Sequence, residues 1–201
     1  MYRTIIPILF GPFPTLETLT MKTAFLGASL AAIVGSVASA DVTYSFDNAT
    51  WTGWNFTEAF ASGSLVGSLT GASINVTLNA STNYTYANDL TIYVAGTPLA
   101  LGGALQVGGF SNMQASQRYS WPNGGSSAPG TTSVGTVNFT TALAFTGTSS
   151  DLSVWVGNGY GAAGTAGTFT GSITLHGVNA VPAPGAIALI GLAGLIGRRR
   201  R

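Results

Sequence analysis

Few residues in this chain could act as acid, base or thiol: one histidine, His176, six carboxylates and no cysteine. A Ser-His-Asp site needs a base, an orienting carboxylate and a nucleophile. No G-x-S-x-G elbow accompanies the histidine. His176 follows Leu175 on the polar face of an expected strand and reads as a solvent-facing strand residue. One imidazole without thiols is too few for the usual zinc site. Asp47, Glu58, Asp89 and Asp151 could in principle supply the carboxylate pair of a glycosidase. None of them lies in a catalytic motif. Asp89 and Asp151 each precede Leu at the start of an expected strand, which favours capping of a turn. No compact Asp-rich loop offers the about six to eight oxygens that calcium takes. Gly159-Tyr160-Gly161-Ala162-Ala163-Gly164 fits G-x-G-x-x-G, but a dinucleotide site needs that run to open a helix. Strand-like Thr165 to Thr170 follows instead, so the run reads as a glycine-rich hairpin. No catalytic residue, metal or cofactor is expected, and the chain reads as a non-enzyme.

Aromatic side chains give the positive hint. Trp51, Trp54 and Trp121 lie in or beside expected loops, as do Tyr84, Tyr86 and Tyr160. Exposed rings stack on the apolar faces of sugars, which makes Trp51, Trp54 and Trp121 the candidate glycan contacts. The competing expectation for Trp51 and Trp54 is packing under the rim of the fold, because large rings usually bury most of their area. Charge narrows the partners further. Between residues 41 and 180 Arg118 is the single cation against five carboxylates, a formal charge of −4. Nucleic acid is therefore not an expected partner, since phosphate binding needs clustered cations.

The elements that must position these residues are strands. Val42, Tyr44 and Phe46 alternate with polar neighbours; so do Ile74, Val76 and Leu78, then Leu90, Ile92 and Val94, then Leu152, Val154 and Val156, then Ile173 and Leu175. A period of two with β-branched and aromatic residues marks half-buried strands. Several short strands separated by glycine-rich turns predict an all-β fold, a single β-sandwich of jelly-roll or Greek-key type. Alternation fails from Gly108 to Thr136, which reads as a long surface loop, and residues 176–185 read as a linker. Asp89–Val94 resembles Asp151–Val156, and Gly67–Gly71 resembles Gly167–Gly171, a match expected of equivalent strands in two packed sheets. The Thr-Gly-x-Ser-Ile-x-Val strand, followed by Asp89-Leu90, also resembles the P-domain-like β-sandwiches of secreted proteases, which implies the same architecture.

Both ends read as addresses. Residues 21–40 place Lys22 before an apolar or small-residue core of 14, Ala24 to Val37, and close on Ala38-Ser39-Ala40. That order is a secretory signal peptide, with cleavage expected between Ala40 and Asp41. Residues 1–20 carry Pro7, Pro12 and Pro14 and read as an over-extended start ahead of Met21. At the other end, Val181-Pro182-Ala183-Pro184-Gly185 precedes an apolar run of 11, Ala186 to Ile196, and the cluster Arg198, Arg199, Arg200 and Arg201. As a helix that run spans only about 16 Å of a core about 30 Å thick. Clustered arginines would hold the tail on the cytoplasmic side.

This tail resembles a PEP-CTERM sorting signal, the mark of exosortase substrates in Gram-negative and related bacteria, with Ala183 where that family most often has Glu. The resemblance implies Sec export, signal peptidase cleavage, transient membrane anchoring through a short transmembrane helix, and processing by a membrane-embedded exosortase. It also implies association with extracellular polysaccharide or biofilm. The expected organisation is an over-extended start over 1–20, a signal peptide over 21–40, the β-sandwich over 41–178 and a sorting and anchor segment over 179–201. The expected function is that of an exported, non-enzymatic protein of the cell surface or extracellular matrix. The alternative is a secreted carbohydrate-binding, lectin-like module.

Overall fold

A computed structural model describes residues 41–97 and 101–182. The signal peptide, the start extension and the tail from Ala183 onward lie outside the described residues. Of the sorting element only Val181 and Pro182 fall within them, and Asp41 is the first described residue. Among the described residues no helix is long and apolar enough to cross a membrane.

The described residues are all-β. Among them nine strands run β1 (Val42–Thr52), β2 (Phe56–Phe60), β3 (Leu65–Thr82), β4 (Leu90–Ala95), β5 (Leu105–Val107), β6 (Gln117–Tyr119), β7 (Thr131–Thr146), β8 (Ser153–Asn158) and β9 (Ala166–Ala180), with one 3₁₀ turn over Ala87–Asp89. They form two sheets, a four-stranded one in the order β1-β9-β3-β7 and a five-stranded one in the order β2-β8-β4-β5-β6. Neighbours pair antiparallel except β5 with β6.

One core joins the sheets. Ile74, Val76 and Leu78 of β3 and Phe169, Ile173 and Leu175 of β9 meet Leu90, Ile92 and Val94 of β4 and Val154 and Val156 of β8. Each fully buried aliphatic chain contributes about 1.5–3 kcal/mol, so the alternating positions are the main source of stability. Burial in β1 follows the expected period: Val42, Tyr44 and Phe46 are half-buried while Thr43 and Ser45 are exposed. That period breaks at a bulge between Phe46 and Ala49, where Asn48 takes φ +47° and its N–H is accepted by Thr170 Oγ1 at 3.0 Å.

Several expectations need correction. Residues 176–180 are not linker: β9 continues to Ala180, pairing with Leu65. The stretch from Gly108 to Thr136 contains β6 and the start of β7. Leu152 precedes β8 and is exposed. The segments of similar sequence are neighbours within one sheet: β4 pairs β8 and β3 pairs β9. Gly159–Gly164 is not a hairpin, because it joins β8 of one sheet to β9 of the other.

Candidate functional site

Three connections meet at one end of the fold: residues 83–89 between β3 and β4, residues 108–116 between β5 and β6, and residues 159–165 between β8 and β9. They are tied to one another through the backbone. Gly109 N donates to Asn88 O at 3.0 Å, Gly159 N to Asp89 O at 2.8 Å and Ser111 N to Gly159 O at 2.9 Å. Asn83 Nδ2 adds a bond to Gly164 O at 3.0 Å. The close approach depends on glycine at two positions. Gly108 and Gly109 have φ of +81° and +78°. A side chain on the first would strike the Trp121 ring and Leu90 O; one on the second would strike Thr91 Oγ1.

This rim displays aromatic rings. Asn83 and Tyr84 are both left-handed, at φ +51° and +64°, and Tyr84 stands 75 % exposed. Left-handed backbone is uncommon outside glycine, and unusual for a ring-bearing residue. Tyr86 precedes the 3₁₀ turn and is partly exposed; Phe110 is 76 % exposed. Tyr160 meets Phe110 edge-on, ring centroids 5.6 Å apart. The backbone of Tyr160 is clamped by buried Asn158, whose Oδ1 accepts Tyr160 N at 3.0 Å, and by Thr165 Oγ1, which donates to Tyr160 O at 2.7 Å.

Asp89 sits below these rings. Its Oδ2 accepts Tyr86 N at 2.8 Å. Burial pushes its carboxyl above the ordinary carboxylate value, and the N–H groups of Tyr86 and Phe110 offset only part of that rise. The arrangement encloses two adjoining hollows that share Tyr86, Asp89 and Phe110. One, of about 300 Å³, is completed by Tyr84 and Tyr160. The other, of about 450 Å³, is lined also by Arg118, Ser120 and one side of Trp121. Arg118 Nη2 donates to Phe110 O at 2.9 Å, which props up the loop carrying the most exposed ring. Volumes of this order, apolar walls and a few polar groups are what a small-molecule or sugar site requires.

Of the three tryptophans singled out in the sequence, Trp51 and Trp54 line neither hollow, and Trp121 borders only the second. Trp51 is 4 % exposed, packed against Phe46 and Phe169, with Nε1 donating to Thr57 Oγ1 at 3.1 Å. Trp121 is equally buried and donates to Leu90 O at 2.7 Å. Trp54 packs against a separate cluster of Phe56, Tyr93, Ala95 and Met113. Tyr84, Tyr86 and Tyr160 do meet at the rim, joined by Phe110, which lies in the non-alternating stretch and carried no sequence signal. Among the described residues no group of three or more His, Cys, Asp or Glu could hold a metal ion. Asp151 caps a turn: its carboxylate accepts Thr146 N and Thr146 Oγ1, both at 2.8 Å, and Gly147 N at 2.9 Å.

His176 lies on the polar face of β9, but the surface does not leave it fully open to solvent. It is half-buried, with both ring nitrogens engaged: Nε2 lies 2.6 Å from Ser73 Oγ and Nδ1 lies 2.8 Å from Asp41 Oδ2. The chain matches no known family, no curated protein and no solved structure.

Proposed function

We propose that the domain is an exported glycan-binding module that uses the aromatic rim at the meeting of its three connections. A hollow walled by Tyr84, Tyr86, Phe110 and Tyr160 beside the Asp89 carboxylate carries this assignment. Ring faces take the C–H faces of a sugar, a carboxylate takes its hydroxyls, and Arg118 at the adjoining hollow supplies the domain's one cation. The architecture is proposed to be a jelly-roll sandwich. Its support is the strand order: successive strands β1 to β4, and again β7 to β9, alternate between the two sheets, and the outer pairs enclose the inner ones.

The binding site is a relocation within the lectin-like alternative, from buried tryptophans to exposed tyrosines and Phe110. Delivery to the cell surface or extracellular matrix, through Sec export and exosortase-type processing, rests on the signal peptide and the PEP-CTERM-like tail. Intact-mass analysis of the exported form tests delivery. The expected product begins at Asp41 and lacks Arg198–Arg201; a product that retains Tyr2 or the arginine cluster overturns it. A glycan array followed by calorimetry tests the site. Substituting both Phe110→Ala and Tyr160→Ala is expected to weaken binding about tenfold or more, the equivalent of the about 0.5–1.5 kcal/mol per ring contact. Absence of binding to any polysaccharide, or binding indifferent to the double substitution, would remove this function.

A further inference from the structure

Ser73, His176 and Asp41 stand on β3, on β9 and at the residue before β1, and line neither hollow. Register brings them together. Ser73 pairs with Thr174 across the β3–β9 ladder, which sets His176 diagonally beside it on the same face. Val42 pairs with Leu175, which delivers Asp41 to the far side of the imidazole. The separations of 103 and 135 residues in the chain hide this from any local motif.

Hydrogen-bond chemistry fixes the order of protons. An ionised carboxylate only accepts, so Nδ1 must carry the proton that Asp41 Oδ2 receives. Neutral imidazole then has a bare Nε2, and at 2.6 Å it accepts from the Ser73 hydroxyl. The Thr136 hydroxyl, 2.7 Å from Ser73 Oγ, is left to donate toward that oxygen. Asp41 is ionised at neutral pH; its hydrogen bond to His176 is the leading reason its carboxyl lies below the ordinary value. A nucleophile, a base of the correct tautomer and an orienting carboxylate are thus in line. His176 and Asp41 remain 27 % and 50 % exposed, and Ser73 is half-buried on the same outer face.

We infer that Ser73 is an activated nucleophile for carboxylic esters, with His176 as its general base and Asp41 as a positioning residue. Ser73 Oγ would bond to the ester carbonyl carbon while its proton passes to His176 Nε2. The tetrahedral adduct would collapse by breaking the bond to the alkoxide, which takes that proton and leaves as the alcohol. Water would then attack the acyl group on Ser73, again through Nε2, releasing a carboxylic acid and restoring the serine. The Thr136 hydroxyl, in contact with Ser73 Oγ, would turn its proton to the oxyanion. The open sheet face suits an ester carried on an extended polymer, such as an O-acyl group of a polysaccharide. This activity goes beyond glycan binding at the rim, and each can fail while the other stands.

A fluorophosphonate probe on the exported protein tests it, since the probe loses fluoride only to an activated oxygen. The expected result is a phosphonyl adduct on the peptide that contains Ser73. Ser73→Ala should abolish the adduct and His176→Asn should slow it about 100-fold or more, with melting temperatures showing that both variants fold. Asp41→Ala should slow labelling and also shift the neutral ring toward the Nε2–H tautomer in ¹⁵N NMR, a change that a purely structural tether would not couple to reactivity. No adduct at Ser73 under conditions that label a control serine esterase, or an adduct equally fast in His176→Asn, would overturn the assignment and leave a surface hydrogen-bond chain.

Discussion

The outer faces of the two sheets are built on opposite principles. On the four-stranded sheet the outer face is polar and meets solvent. Thr43 bonds Thr174 at 2.9 Å, Thr50 bonds Thr168 at 2.8 Å and Asn79 Nδ2 donates to Thr170 Oγ1 at 2.8 Å. On the five-stranded sheet Phe56, Tyr93, Ala95 and Met113 form a second apolar cluster, so every residue of β4 is buried. Gly102, Gly103 and the stretch around Met113 cover it: Gly103 N donates to Tyr93 Oη at 2.8 Å, and Gly102 N donates to Met113 O at 3.0 Å. The open face carries hydroxyls and an imidazole, whereas the covered face anchors the loop that displays Phe110. The rim loop is therefore coupled to this second cluster, whereas Ser73 and His176 lie on the outer side of the strands that build the shared core.

The sharpest way to break this contrast is to remove the anchor. Tyr93→Ala leaves a cavity under the cover and an unpaired Gly103 N–H. The expected loss is about 4 kcal/mol of unfolding free energy, read as a lower urea midpoint. A loss below about 1 kcal/mol would mean that the cover does not pack on the sheet. Gln106→Ala should cost less, about 2 kcal/mol. This buried amide donates to Gly108 O at 3.0 Å and Ser111 O at 2.8 Å and accepts Met113 N at 3.0 Å. Faster amide exchange confined to residues 108–116 would accompany it, together with weaker glycan binding if the rim is the site.

The same contrast explains what the sequence disclosed. Strands of the open sheet alternate because one side meets water, so β1 and β9 were legible from period two. The strand β4 was legible in its inward set, Leu90, Ile92 and Val94, while the burial of Thr91 and Tyr93 was not, since nothing local announces a covering loop. Trp51 packs under the rim, as the competing expectation had it, whereas Trp121 was read as a loop ring because the buried acceptor of its indole N–H, Leu90 O, is a long-range fact. Tyr84, Tyr86 and Tyr160 were legible as loop aromatics, but their convergence depends on three connections closing together. His176 was seen alone because Ser73 and Asp41 reach it only through strand register.

Two aspartates with matching sequence surroundings sharpen the comparison by pH. Burial lifts the Asp89 carboxyl above 3.8, so the folded state holds that proton longer. Stability owed to Asp89 therefore falls as pH rises from 3.8 through its folded value. For Asp151 burial also raises the value, but hydrogen bonds from Thr146, Gly147 and Thr148 together outweigh it and hold the carboxyl below 3.8. Its contribution is present above 3.8 and is lost as pH falls through the lower folded value. Melting temperature against pH should show Asp151→Asn losing part of the acid-side fall, and Asp89→Asn losing the opposing slope. Parallel curves for both variants would contradict the difference in their surroundings.

The smallest effect is expected on the open face. Replacing Thr43 by Val removes a hydroxyl pair between β1 and β9 but keeps the β-branched shape that strands favour. Cross-strand threonine pairs contribute about 0.2–1 kcal/mol, and exposed partners can bond water instead. Stability should therefore change by no more than about 0.5 kcal/mol by urea unfolding. Thr43 lies beside Asp41, so the same variant also separates position from packing: a folded protein with unaltered Ser73 labelling is expected. A loss above about 2 kcal/mol would mean that the hydroxyl ladder, rather than the shared core, holds β1 to the sheet, and the two outer faces would then differ in polarity but not in structural weight.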